Sequence, residues 1–161
     1  MANVKEILAA AIEFERFGVE YYTRFHGLVG DEKAKPLMKG LAGDEKDHAR
    51  ILEEELKRLG GKAPPPSREI VKKGLAEIFP EKIKEGSIAT KDAISAIKLG
   101  MRTEERSIEF YSKNAAVAGP ALKNVFGKLE KMERGHLELL TENLRYLEDD
   151  GVWYGYVPFL D

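Results

Sequence analysis

The 161-residue sequence has no cysteine, only three histidines and a single tryptophan. Without cysteine there are no disulfides, thiolate nucleophiles, Fe–S clusters or Cys-ligated zinc or iron knuckles, so any metal must be held by oxygen and nitrogen. Long apolar runs are also missing: no stretch approaches the roughly 18 residues of a membrane span, and no basic segment followed by an apolar one opens the chain. The expectation is a cytoplasmic protein with no membrane partner. Neither sign of charge dominates, since 26 Lys+Arg face 28 Asp+Glu with a net charge of -2. The signs are interspersed, so no basic stripe marks a nucleic-acid footprint. β-Branched alternation is nearly absent, which argues against a sheet. The remaining 43% apolar content is enough for one cooperative core.

That apolar content recurs at threes and fours in four long segments, each read as a helix. The first runs from about Val4 to Leu28 and carries Leu8, Ala11, Ile12, Glu15, Val19 and Tyr22 on one face. After Gly30-Asp31, Pro36 falls in a first turn, where its missing N–H is not needed. The second helix extends to Leu59 through Leu37, Leu41, Glu45, His48, Leu52 and Leu56, and is stopped by Gly60-Gly61 and three prolines, 64–66. Residues 60–90 form one long connection with a short helix from about Ser67 to Ile78. Thr90 is placed as the N-cap of the third long helix, which reaches Val117 through Ala93, Ile97, Met101, Glu104, Ile108 and Tyr111. Gly119-Pro120 separates it from the fourth, which carries Leu122, Phe126, Leu129, Glu133, His136 and Leu140 and fades after Leu147. The expected fold is all-α, with residues 1–150 forming an antiparallel four-helix bundle that has its long crossover between helices two and three. Residues 151–161 are an aromatic tail expected to pack on the bundle or on a partner subunit.

The two halves match one another. Glu15 to Glu104 and Tyr22 to Tyr111 are both 89 residues apart, while Glu45 to Glu133 and His48 to His136 are both 88. Each half therefore repeats an E-x6-Y helix, a glycine-containing turn and an E-x-x-H helix, which is an internal duplication. A separation of three puts the carboxylate and imidazole of each tetrad on one helix face. Glu15 lies as far before the turn at Gly30 as Glu45 lies after it, so at roughly 1.5 Å per residue the two come level. Glu104 and Glu133 do the same about Gly119. Stacking the hairpins would bring four carboxylates and two imidazoles together at mid-height. Four glutamates buried among leucines repel one another and lose several kcal/mol each by desolvation, unless cations compensate. Two divalent metals cancel four negative charges, and the group count is that of a dinuclear site. Oxygen with imidazole suits two iron ions, or manganese or a mixed pair, with zinc as an adventitious occupant.

With these segments in place the chain resembles the rubrerythrin-type ferritin-like di-iron carboxylate family. The resemblance rests on residues 11–15, 44–48, 101–104 and 130–136, and covers about residues 5–148. It implies a ferritin-like bundle whose metal ligands are Glu15, Glu45, His48, Glu104, Glu133 and His136, with Glu45 and Glu133 bridging or flanking both metals and Glu15 and Glu104 terminal. Full-length members of this family also carry a four-cysteine rubredoxin-like domain that feeds electrons to the metals. This chain lacks cysteine, so a separate electron-donor protein is implied. Members of the family supply a further carboxylate three residues after the third-helix ligand, where this chain has Ser107.

The expected reaction is reduction of hydrogen peroxide to water at Glu15, Glu45, Glu104 and Glu133, with His48 and His136 each binding one metal. The alternatives are iron oxidation by dioxygen, oxidation of an organic substrate, and a non-catalytic metal-binding or interaction module. Tyr22 and Tyr111, two turns beyond the terminal glutamates, are read either as ordinary aromatic core or as groups that orient a carboxylate and relay an electron or proton. Glu13, Glu20, Glu105 and Glu109 compete with Glu15 and Glu104 in spacing but fall off the apolar face. His26 and Asp47 are read as solvated. Gly18 and Gly135 lower helix propensity by roughly 1 kcal/mol each and are read as allowing close packing or oxidant access. Surplus apolar residues such as Phe14, Phe17 and Phe25 point to a homodimer, with exchange of hairpins between subunits as one form of it.

Overall fold

The structure is a computed structural model describing residues 3–79 and 82–157. Residues 158–161, the last part of the aromatic tail, lie outside the described residues. Five helices follow one another: α1 (Val4–Leu28), α2 (Ala34–Arg58), α3 (Arg68–Ile78), α4 (Thr90–Ala115) and α5 (Pro120–Asp150). There is no strand among the described residues. The fold is the all-α, ferritin-like bundle expected from the sequence, with its long crossover between the second and third of the four long helices.

Local chemistry sets the helix ends. Asn3 caps α1 by accepting from the Lys5 N–H at 2.8 Å. Asp31 Oδ1 accepts from the N–H groups of Lys33 at 2.7 Å and Ala34 at 3.2 Å, which turns the chain into α2. Gly119 takes φ +94°, a conformation open to glycine, and Pro120 opens α5. Thr90 is the first residue of α4 rather than its cap; Ala89 occupies the cap position and no side chain bonds there. α4 also ends slightly earlier than its periodicity predicts, at Ala115. α5 runs past Leu147 to Asp150 through exposed residues and stops at Gly151, whose φ of +68° and N–H bond to the Leu147 carbonyl cap it. Asn143, fully buried, accepts from the Gly155 N–H at 2.8 Å and donates to the Gly155 carbonyl at 3.0 Å, while Trp153 packs edge-on against Phe25 at 5.8 Å.

α1 pairs with α2 and α4 with α5 as two antiparallel hairpins. The crossover carries the chain back along α1: Phe79 stacks on Tyr21 at 5.6 Å, and the Gly86 and Ile88 N–H groups donate to the Gly27 and Leu28 carbonyls at 3.0 Å. α4 therefore begins where α1 ends and runs antiparallel to it. Two apolar clusters result, one around Phe25, Leu37, Ile97 and Leu140, the other around Leu8, Ile12, Leu52 and Phe126. Each fully buried Leu or Phe is worth about 1.5–3 kcal/mol, enough for these clusters to sustain a polar layer at mid-height. Phe25, one of the residues read as surface for a second subunit, is fully buried inside the chain, and Phe17 packs against the crossover.

Candidate metal centre

The polar layer consists of Glu15 from α1, Glu45 and His48 from α2, Glu104 from α4, and Glu133 and His136 from α5, none more than 4% exposed. Glu13, Glu20, Glu105 and Glu109, which competed with Glu15 and Glu104 by spacing, all point to solvent. The burial follows from helical phase, because Glu15 continues the stripe of Leu8, Ala11 and Ile12. Two groups of potential metal-binding atoms form, Glu15/Glu45/His48/Glu133 and Glu45/Glu104/Glu133/His136, each with its atoms within 4.8 Å of one another. Glu45 and Glu133 belong to both, which places them between two adjacent cation positions.

Contacts obey the duplication read in the sequence. His48 Nδ1 lies 2.8 Å from Glu133 Oε1 and 3.4 Å from Glu15 Oε2. Its counterpart His136 Nδ1 lies 2.8 Å from Glu45 Oε1 and 3.7 Å from Glu104 Oε1. The two tyrosines cross between hairpins: Tyr22 donates to Glu104 Oε1 and Tyr111 to Glu15 Oε1, both at 2.5 Å. Each of these two carboxylates is thereby fixed through one oxygen while the other is left without a hydrogen bond.

Those second oxygens provide the fit test for metal. Glu15 Oε2, Glu45 Oε1, Glu104 Oε2, Glu133 Oε2 and His136 Nδ1 are buried without a hydrogen-bond partner. His136 Nδ1 is close to Glu45, yet their geometry makes no hydrogen bond. Orphaned buried acceptors cost about 1–3 kcal/mol each, more when charged. Five at one point, each a lone-pair donor, fit a pair of cations.

Without cations the layer redistributes protons. Burial pushes the Glu45 carboxyl well up, reinforced by the charges of Glu133, Glu15 and Glu104. Burial likewise raises Glu104, with Glu133 adding to it. For Glu133, burial works upward, but Glu104, His136 and His48 beside it, the last hydrogen-bonded at 2.8 Å, outweigh it and hold the group below the usual carboxylate range. Burial opposes protonation of His48, but the hydrogen bond to Glu133, the Glu15 carboxylate 3.4 Å away and the charges of both raise it to about 10. His136 is also raised against the effect of burial, first by Asp44.

The rubrerythrin family model matches residues 6–144. The chain belongs to the rubrerythrin family. Among solved structures, it is similar to a hypothetical protein from Pyrococcus furiosus, at 26% identity over 91% of each chain and a TM-score of 0.70. It also shares its fold with the bacterioferritin of Desulfovibrio desulfuricans, at 20% identity over 94% of this chain and 87% of the other, with a TM-score of 0.71. That bacterioferritin has a diiron site, seen in different catalytic states. No curated protein sequence matches the chain. The buried acidic and histidine clusters have the composition of a di-iron or related metal centre, as the rubrerythrin fold leads one to expect.

One feature of this rubrerythrin-family site escaped sequence reasoning, and a second was read as close packing without its partner. Asp44 Oδ2 lies 3.1 Å from His136 Nε2. In the sequence it is one acidic residue among many on α2, and its position in the other half is Met132, so the duplication gives no signal. Gly18 is the second. A Cβ there would meet Glu45 Oε2 at 2.6 Å, so the missing side chain is the space that the Glu45 carboxylate occupies. Ser107, in the equivalent place on α4, is buried but small. Gly18→Ala is expected to displace Glu45 and weaken metal binding about 10- to 100-fold, the range typical for disturbing a ligand's support. Competition against a chromophoric chelator reads this directly.

Proposed function

We propose that the chain is a di-iron peroxidase that reduces hydrogen peroxide to water with electrons from a separate donor protein, and that it works as a homodimer. The observation carrying this reading is the pair of buried groups sharing Glu45 and Glu133. A bound pair of ferrous ions would supply the two electrons for H2O2 + 2 H⁺ + 2 e⁻ → 2 H2O, a reaction that no side chain present performs alone. Glu15 and Glu104 would hold one cation each with His48 and His136, and Glu45 and Glu133 would hold both. Tyr22 and Tyr111 would hold the terminal carboxylates in place by donating a hydrogen bond to one oxygen of each. Burial, followed by the charge of Glu104 for Tyr22 and of Glu15 for Tyr111, raises both phenols well above their usual range, so they stay protonated donors. The 161 residues hold no cysteine and so no Fe–S or thiolate-ligated relay, and the reading takes its electrons from a donor outside them.

A cavity of about 330 Å³ adjoins the site at His136. Its wall combines the carboxylates of Asp44, Glu138 and Glu142 with Leu41, Leu139, Tyr154 and Tyr156, so oxidation of an organic substrate that is apolar in part stands as the second reading. No helix among the described residues is long and apolar enough to cross a membrane.

The test is anaerobic loading with Fe(II), then stopped-flow mixing with peroxide in one arm and dioxygen in the other. Faster oxidation by peroxide, with two irons consumed per chain, supports the peroxidase. A loaded centre inert to peroxide overturns it, and sustained iron uptake driven by dioxygen replaces it with a ferroxidase. Tyr22→Phe and Tyr111→Phe are expected to keep two-metal stoichiometry while slowing the peroxide step about tenfold, equivalent to about 1.4 kcal/mol in the barrier. Unchanged kinetics in the same stopped-flow assay would return both residues to the aromatic core.

A further inference from the structure

We infer that the two metal positions are unequal, and that Asp44 makes the position formed by Glu104 and His136 the tighter one. The inference rests on the dinuclear reading and goes beyond it, because the duplication by itself gives two equal halves.

Nearly every contact in the layer has a mirror. The pair His48 Nδ1–Glu133 Oε1 mirrors His136 Nδ1–Glu45 Oε1, both at 2.8 Å. Within each tetrad the separations are 4.0 Å for His48–Glu45 and 3.8 Å for His136–Glu133. Tyr22–Glu104 mirrors Tyr111–Glu15. The Asp44–His136 hydrogen bond has no mirror. Its counterpart position holds Met132, and His48 Nε2 makes no hydrogen bond to another of the described residues.

The consequence is chemical. A carboxylate that accepts from the remote N–H of a histidine fixes the ring's rotation and tautomer, leaves the lone pair on the other nitrogen, and increases its donor strength. Asp44 accepts from His136 Nε2–H, so the proton that the ring gives up on binding a cation is the one on Nδ1, the nitrogen facing the cation position and left without a hydrogen bond. His48 is arranged differently. Its Nδ1 faces Glu133 at 2.8 Å just as His136 Nδ1 faces Glu45, but no carboxylate among the described residues takes its Nε2, so its ring is not held from the outer side. The Asp44 side chain is itself 26% exposed and lines the cavity beside His136, so solvent reaches this position's outer support but not the layer itself.

The experiment is an anaerobic titration of the metal-free protein with Co(II), followed both by calorimetry and by the visible absorption of the bound ion. Wild-type protein is expected to bind in two steps separated by at least about tenfold in Kd. His136→Ala should remove the tighter step and His48→Ala the weaker. Asp44→Ala should weaken the tighter step about 10- to 100-fold, bringing the two together and shifting the absorption of the first-bound ion. Asp44→Asn, which keeps the acceptor oxygen but not the charge, should fall between. Met132→Asp should strengthen the weaker step, a gain that no merely structural role predicts. Two equal steps in the wild type would overturn the inequality and leave the dinuclear centre standing, as would a loss in Asp44→Ala spread evenly over both steps. Failure of the wild type to bind any Co(II) would overturn this inference together with the metal centre beneath it.

Discussion

Glu133→Gln is expected to abolish binding of a metal pair and with it most of the thermal stabilisation that metal confers. Glu133 is fully buried, belongs to both groups of potential ligands, and is the carboxylate held most firmly in its charged form. The amide has the same volume, so the substitution removes charge and one metal-binding oxygen without opening a cavity. A ligand that binds only the folded state, at about 1,000 times its Kd, stabilises by about 4 kcal/mol. In a domain of this size roughly 2–4 °C accompanies each kcal/mol, so wild-type protein should gain about 8–16 °C on loading. The variant should gain only a small fraction of that and retain fewer than two ions per chain. Calorimetric melts of loaded and metal-free samples, with metal quantified in each, measure both quantities. A full gain in Glu133→Gln would remove Glu133 from the centre.

The metal-free and metal-loaded proteins are expected to respond to pH in opposite directions. His48 rises from an ordinary value near 6.5 to about 10 in the folded chain, so folding favours its protonated form. A raised group contributes stability that is fully present below its unfolded pKa and is lost as pH climbs through the folded one. For His48 the window is from 6.5 to about 10, and the contribution at neutral pH is on the order of 4 kcal/mol. Glu45 and Glu104 are raised as well and act in the same sense, losing their contribution as pH rises. Glu133 is depressed, so its contribution is present above the ordinary carboxylate pKa and is lost on acidification. Metal-free protein should therefore melt about 8–16 °C lower at pH 10 than at pH 6.5. Metal binding displaces the same protons, so affinity should rise with pH, and loading should release protons into a weakly buffered solution. Melting curves across this range, with and without metal, test the sign. A metal-free protein that gained stability toward alkaline pH would contradict the arrangement of protons described above.

Much of this was legible in the chain because helical periodicity and the duplication are local properties. Apolar residues at threes and fours located the four long helices, and Glu15 and Glu104 could be distinguished from Glu13, Glu20, Glu105 and Glu109 because a buried stripe has a definite phase. Helix ends were read less well. Ala115 is followed by a turn closed on the Asn114 carbonyl and Asp150 by Gly151 in a left-handed cap, and the period of the apolar face marks neither end. Tyr22 and Tyr111 left two readings open, because seven-residue spacing puts a ring on the right face without saying whether its hydroxyl meets a carboxylate from another helix.

The sequence by itself determined the all-α class, the pairing of helices within each hairpin, and six groups of the right chemistry at one height. These follow from 3.6-residue periodicity, turn residues and equal distances along helices. Tertiary structure alone decided which atoms face one another: that each tyrosine bonds the glutamate of the opposite hairpin, that Gly18 is the space filled by Glu45, and that Asp44 supports one histidine while Met132 leaves the other unsupported. Those contacts join residues 27 to 96 positions apart in the chain. Their distances are set by how closely two hairpins approach and rotate against each other, which periodicity along a single helix does not encode.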